Sequence, residues 1–234
     1  MAIIKTEAIV LHSLKYGEGR IIVDIFSREQ GRLSLIVSAP RSERSKIKKQ
    51  YLQPLTLLTM ECDVRPQAQL QKLREASLLT PLPSLLSDPK KLSIGLFVSE
   101  FLYHALKSEQ RNVPLFDYVR SSIEWLDAAT GPSANFHLVF LMRLTRFLGF
   151  YPNMESKGDY FDMNEGTFGH ITDDNIAATT VRQLMRMDYP TMHLFQLSRQ
   201  ERAEILQTLL QYYQLHLPAF PELRSLSVLK ELYN

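Results

Sequence analysis

Five of the nine residues in Arg41-Ser-Glu-Arg-Ser-Lys-Ile-Lys-Lys49 are basic and one is acidic. Side chains of that type at that density neutralise phosphates and release the counterions condensed on a polyanion. Residues 1–78 hold thirteen Lys and Arg against eight Asp and Glu, and residues 79–234 hold fourteen against seventeen, so a net charge of +2 conceals a basic N-terminal part. Arg20, Arg28 and Arg32 continue a positive track from Arg41, Arg44, Lys46, Lys48 and Lys49 toward Tyr51. Tyr16, Phe26 and Tyr51 offer ring faces for base stacking, although Phe26, inside an apolar run, reads first as core. The residues expected to touch nucleic acid are therefore Arg20, Arg32, Arg41, Arg44, Lys46, Lys48, Lys49 and Tyr51. A basic run also reads as a solvated loop, and its surroundings decide between the two.

Other chemistries find no footing. Gly17-Glu-Gly19 starts like a dinucleotide loop but lacks its third glycine, and no Gly-Lys-Ser/Thr phosphate loop occurs, which argues against nucleotide use. The six histidines, at 12, 104, 137, 170, 193 and 216, include no pair at helical metal spacing. Asp162, Asn164 and Asp173 hint at a calcium loop, but Gly166 falls one place too early for the turn. The remaining carboxylates are scattered, and no Gly-x-Ser-x-Gly elbow is present. A metal-dependent nuclease has only the acids between 159 and 174 to support it. No cofactor, no metal and no catalytic residue is expected. The single cysteine, Cys62, excludes an intrachain disulfide and a multi-cysteine zinc site. No apolar run approaches the roughly 20 residues needed to cross a bilayer, and MAIIKTEAIV carries Lys5 and Glu7 where a signal peptide would be apolar. No membrane partner is expected, and the expected place of action is the cytoplasm.

The elements that must position the cations change character near residue 80. IIKTEAIVLH, RIIVDIF and RLSLIVSA read as strands, with breaks at Tyr16-Gly-Glu-Gly19 and Arg28-Glu-Gln-Gly31 that suit hairpins. Leu55–Glu61 and Gln69–Ser77 supply two more, divided by Pro66. Five strands in about 80 residues close most economically as an OB-fold barrel, with the basic loop joining the third and fourth. After the prolines of Thr80-Pro-Leu-Pro-Ser84, which mark a linker, apolar spacings of three and four predict helices over 90–108 and from Pro114 through Leu126. A third over 135–148, apolar nearly all round, belongs at a bundle centre and ends at Gly149. Further helices are expected over 175–188, 198–216 and 221–232, with Ser198 and Glu201 forming a capping box. Tyr160-Phe-Asp-Met-Asn-Glu-Gly-Thr-Phe-Gly169 reads as a small hairpin. The expected architecture is α+β multidomain: an OB-fold nucleic-acid-binding domain over 1–79 and an all-α domain over 80–234, with a hairpin insertion near 151–174.

Lys5-Thr-Glu-Ala-Ile-Val-Leu11, Tyr16-Gly-Glu-Gly-Arg20, Phe26-Ser-Arg-Glu-Gln-Gly-Arg32, the basic loop and Gln53-Pro54-Leu55 follow one another in an order that resembles the RecO family of bacterial recombination mediators. Leu144-Thr-Arg-Phe-Leu-Gly-Phe-Tyr-Pro152 and the Phe-Asp-x-Asn-x-Gly stretch extend the likeness more loosely over nearly the whole chain. The resemblance implies an OB-fold joined to a helical domain. It implies binding of single- and double-stranded DNA and annealing of complementary strands without nucleotide hydrolysis. It further implies RecR and the acidic C-terminal tail of single-stranded DNA-binding protein as partners, in helping RecA load at gaps. Many relatives hold a zinc with four cysteines in the loop after Pro152; this chain has none there, so packing must hold the hairpin around Phe161 and Phe168. For the acidic tail, a basic residue beside an apolar groove is needed, and Arg143, Arg146 and Phe147 are the expected contacts. The same charge and strands also suit an RNA-binding OB-fold protein of translation or RNA processing.

Overall fold

The β-branched, apolar runs of the first 80 residues form β1 (Ala2–Tyr16), β2 (Arg20–Ser27), β3 (Gly31–Ser38), β4 (Leu57–Val64) and β5 (Gln71–Thr80). The computed structural model describes residues 2–39, 45, 47–155, 157–169 and 175–231; Arg41, Arg44 and Lys46 of the expected site lie outside the described residues. The strands close into a barrel in the order β1-β2-β3-β5-β4, the OB-fold arrangement. β1 is long enough to serve two neighbours: Ala2–Ile9 pair with β4 and Ala8–Tyr16 with β2. A short parallel pairing of β3 with β5, Leu35 opposite Gln71 and Ile36 opposite Lys72, completes the closure.

Because side chains alternate across a strand, one set fills the barrel: Ala8, Val10, Val23, Ile25, Leu35, Val37, Leu58, Met60, Cys62 and Leu73. Burial there pushes the Cys62 thiol up to about 11, which keeps it protonated and unreactive at neutral pH. Ile47 and Leu52 join the same interior. Ser13 Oγ donates to the Leu52 carbonyl at 2.5 Å, so the 3-10 helix over Lys49–Leu52 closes the barrel at the end where β1 finishes. The fourth strand starts at Leu57 rather than Leu55, because Leu55 has φ 60 and turns the chain.

The chain divides into two compact units, one of Met1–Ala128 with Leu223–Leu229 and one containing Ala129–Glu222. The last barrel strand ends at Thr80, three residues past the expected Ser77, and the first unit runs on through α1 (Pro83–Ser87), α2 (Pro89–Ala105) and α3 (Val113–Ala128). The linker expected at 80–84 thus leads directly into a helix. The cause lies on the barrel's outside, where Ile9, Leu11 and Phe26 are apolar and need cover; all three are at most 2% exposed. Ser99 Oγ of α2 donates to the Leu11 carbonyl at 2.7 Å, and the Phe116 ring of α3 lies 6.0 Å from that of Phe26. Asp88 caps α2 by accepting from the backbone N–H of Lys90 at 2.8 Å.

In the second unit α4 (Phe136–Leu148) is buried along nearly its whole length, and Gly149, at φ 88, ends it in the left-handed conformation. β6 (Tyr160–Asp162), β7 (Thr167–Gly169) and β8 (Asn175–Ala177) form a small sheet in the order β7-β6-β8. Residues 175–177, expected as the start of a helix, pair with β6 instead, and α5 (Ala178–Arg186) begins one residue later. α5 and α6 (Arg199–His216) both pack on α4. α6 opens with the expected capping box, Glu201 N–H to Ser198 Oγ at 3.2 Å and Ser198 N–H to Glu201 Oε2 at 2.7 Å. α7 (Ser225–Glu231) returns to the first unit, where the Glu100 carboxylate accepts from the backbone N–H groups of Arg224 and Ser225.

Candidate nucleic-acid interface

Cations of the first unit include two contrasting groups. Arg28 makes a double hydrogen bond to Asp117, at 3.1 and 3.0 Å, which holds its guanidinium above the ordinary value. Arg74 meets Asp63 at 2.6 Å, Arg111 meets Glu29 at 3.3 Å, and Arg120 bridges Glu7 and Glu124. Arg32 departs from expectation most clearly. Its side chain is 11% exposed and lies 3.3 Å from Asp24, itself 12% exposed. Its guanidinium also sits 4.7 Å from the centre of the Tyr103 ring and donates to the Tyr103 carbonyl. Burial lowers the Arg32 pKa, with Asp24 opposing the change. A guanidinium so engaged is not offered to a phosphate, and Arg32 leaves the expected set.

The second group faces water. Lys15, Arg20, Lys48, Lys49 and Lys72 are exposed, and none pairs with a carboxylate among the described residues. Strand register gathers them. Tyr16 lies opposite Arg20, and Arg20 opposite Ser38. The backbone N–H of Ala39 donates to the Gly19 carbonyl, so the basic loop leaves β3 from this same end. It returns there through Lys48, whose ammonium is 5.9 Å from the centre of the half-buried Tyr51 ring. Asp63, opposite Lys72 on β4, is taken by Arg74, which leaves Lys72 unmatched. Glu18 in the β1–β2 turn is the acid at this end. Of the expected residues, Arg20 stands opposite Tyr16 and Ser38, and Lys48, Lys49 and Tyr51 lie together on the segment bonded to Ser13 through Leu52.

Pattern reading missed the floor between these cations. Leu14, Ile22, Ile36 and Lys72 are successive cross-strand partners on β1, β2, β3 and β5; Ile22, Ile36 and Lys72 point outward because Val23, Leu35, Val37 and Leu73 beside them point in, and Leu14, as the partner of Ile22, shares their face. With strands about 4.8 Å apart the row is about 14 Å wide. Leu14 is 56% exposed and Tyr16, one step along β1, is 50% exposed. The signal was present in the sequence: Ile21-Ile22-Val23 and Leu35-Ile36-Val37 are apolar on both faces, where a half-solvated strand would alternate. Next to α2 and α3 this outer face is covered, with Phe26 under Phe116 and the His12 ring 4.7 Å from Tyr103.

Two family models, described as Recombination protein O N terminal and Recombination protein O C terminal, match residues 1–82 and 86–226. The DNA repair protein RecO of Bacteroides fragilis is 48% identical over 241 residues, covering 98% of this chain and 99% of that protein. That of Phocaeicola vulgatus is 48% identical over 238 residues with the same coverage, and that of Flavobacterium psychrophilum 34% identical over 237 residues, 99% of each chain. The chain belongs to the RecO family. RecO is a family of DNA repair and recombination proteins rather than of enzymes. No helix among the described residues is long and apolar enough to cross a membrane.

The chain's single cysteine, Cys62, lies inside the barrel, so a four-cysteine zinc site cannot form in the loop after Pro152. Among the described residues no three His, Cys, Asp or Glu side chains gather as metal ligands. Aromatic rings hold the small sheet of this RecO protein instead: Phe161 lies 5.1 Å from Phe168 and 5.6 Å from Tyr212, and Arg182 sits 4.4 Å from the centre of the Phe168 ring. Tyr212 donates to the Phe150 carbonyl at 2.7 Å, and the His216 ring stacks on Phe150 at 4.9 Å. On α4, Arg143 donates to the Met187 carbonyl at 3.2 Å. Arg146 is exposed, bonds the Tyr151 hydroxyl at 2.8 Å and lies 4.2 Å from the centre of that ring, next to the half-buried Phe147.

Proposed function

We propose that this chain binds single- and double-stranded DNA at the end of its barrel where β1 finishes and anneals complementary strands. With RecR, it helps load RecA on DNA coated by single-stranded DNA-binding protein. The observation that carries the DNA contact is that Lys15, Arg20, Lys48, Lys49 and Lys72 are exposed without a carboxylate partner among the described residues, whereas Arg28, Arg32, Arg74, Arg111 and Arg120 are each matched by one. Two complementary strands repel through their phosphates. A surface of unmatched cations screens both, and base pairing then supplies the driving force, so no catalytic side chain is needed. Arg41, Arg44 and Lys46 belong to the same contact in this proposal. The acidic tail of single-stranded DNA-binding protein meets Arg146 and Phe147, with Arg143 beside them holding the Met187 carbonyl. Support for RecR, for the tail and for RecA loading comes from the family likeness.

An annealing assay with complementary oligonucleotides, with and without single-stranded DNA-binding protein, tests the proposal. Replacing Arg20, Lys48, Lys49 and Lys72 by alanine should slow annealing and reduce the log–log salt slope of single-strand binding by roughly 0.7 for each phosphate that is no longer neutralised. Unchanged binding and slope would remove this end of the barrel from the mechanism. Competition with RNA of the same sequence covers the other nucleic acid, since a strong preference for RNA contradicts a DNA repair role.

A further inference from the structure

We infer that the open patch formed by Leu14, Tyr16, Ile22 and Ile36 holds the faces of unpaired bases, so that the protein grips a strand before pairing and loses that grip as the duplex forms. The inference rests on the DNA-binding reading above and adds what part of the DNA this patch takes. An antiparallel sheet normally turns polar side chains to water. Here three aliphatic side chains stand in one cross-strand row with a half-exposed tyrosine one step beyond them. Such a floor offers no hydrogen-bond donor or acceptor except the Tyr16 hydroxyl, so it cannot read base edges. What it can cover is a flat apolar surface, and every base has one.

Charge identifies the occupant. Lys72 ends the row on β5, and Arg20, opposite Tyr16, stands at the β1–β2 end, both exposed and unmatched by carboxylates among the described residues. Cations around an apolar, partly aromatic floor suit a chain whose phosphates lie outside its bases, which is a single nucleic-acid strand. In a duplex the base faces are stacked on one another and only phosphates and groove edges remain accessible. The patch therefore distinguishes unpaired from paired strands by shape alone, while Lys48 and Lys49 hold phosphates of either. Pairing withdraws the bases from the patch and leaves the product held by charge only, which salt and the next strand can displace.

The test compares a single-stranded oligonucleotide with a blunt duplex of the same sequence, over a salt series, on the full chain. Tyr16→Ala combined with Leu14→Ser alters two side chains at least half exposed, so folding should be retained, and circular dichroism checks it. The expected result is about a tenfold loss of affinity for the single strand, with duplex affinity and the single-strand salt slope unchanged. Tyr16→Phe, which keeps the ring, should bind as the unsubstituted protein does. An equal loss for both DNA forms, a changed salt slope, or no loss at all, as for a protein-docking face, would overturn the inference and leave the DNA-binding reading standing. If the unsubstituted protein binds neither form, both fall together.

Discussion

Replacing Arg32 by alanine separates a structural cation from a DNA-binding one. The guanidinium lies 3.3 Å from Asp24, with both side chains nearly out of water at 11% and 12% exposure. Deleting one member of a buried pair costs about 3–5 kcal/mol, because the other charge is left without its partner. Asp24 would keep the Ser34 hydroxyl at 2.5 Å and the His12 ring nitrogen at 3.6 Å, which places the cost near the lower end. Loss of the cation–π contact with Tyr103 adds about 1 kcal/mol, for roughly 4 kcal/mol in all. With a urea dependence of about 2 kcal/mol/M, the unfolding midpoint of the first unit should fall by about 2 M. Removing both charges, in Arg32→Leu with Asp24→Leu, should restore most of that loss. The salt slope for single-stranded DNA should stay as in the unsubstituted protein. A midpoint that barely moves, together with a slope lower by roughly 0.7, would mean that Arg32 faces phosphate rather than Asp24.

Three further outcomes follow from the packing. Gly31, at φ +71, sits so close to the backbone of Glu109 and Gln110 that an added Cβ collides with both; Gly31→Ala should cost about 3 kcal/mol or more by thermal or urea unfolding. Phe161→Ala empties the centre of the aromatic cluster that holds the small sheet, and about 3–4 kcal/mol should be lost from the second unit, visible as early proteolysis within 150–180. Burial, reinforced by Arg202, lowers His137 to about 3, below its ordinary 6.5. The unfolded chain therefore binds a proton that the folded one refuses. The contribution of His137 to stability is complete above pH 6.5 and is lost at about 1.4 kcal/mol per pH unit as pH falls toward 3. His137→Leu should make the acid limb of a stability–pH curve shallower by one proton, and an unchanged limb would show that His137 titrates alike in both states.

The sequence alone determined whatever depends on neighbours along the chain. Clustered isoleucines and valines with glycine turns announced the barrel strands, Gly149 ended α4, and Ser198 with Glu201 opened α6, because each is a matter of a few consecutive backbone groups. The concentration of positive charge before residue 79 was equally plain. Tertiary structure alone decided which cations are available. Arg20 and Arg32 flank strands in the same way, yet one is exposed and the other is buried against Asp24 and Tyr103, because α2 packs over only part of the outer face. Lys72 enters the site only through the parallel pairing of β5 with β3, which sets it beside Ile36. Residues 175–177 became a strand because β6 offered an edge to pair with. Periodicity records which way a side chain points, but what it meets there is set by elements far away in the chain, and a cation's role follows from what it meets.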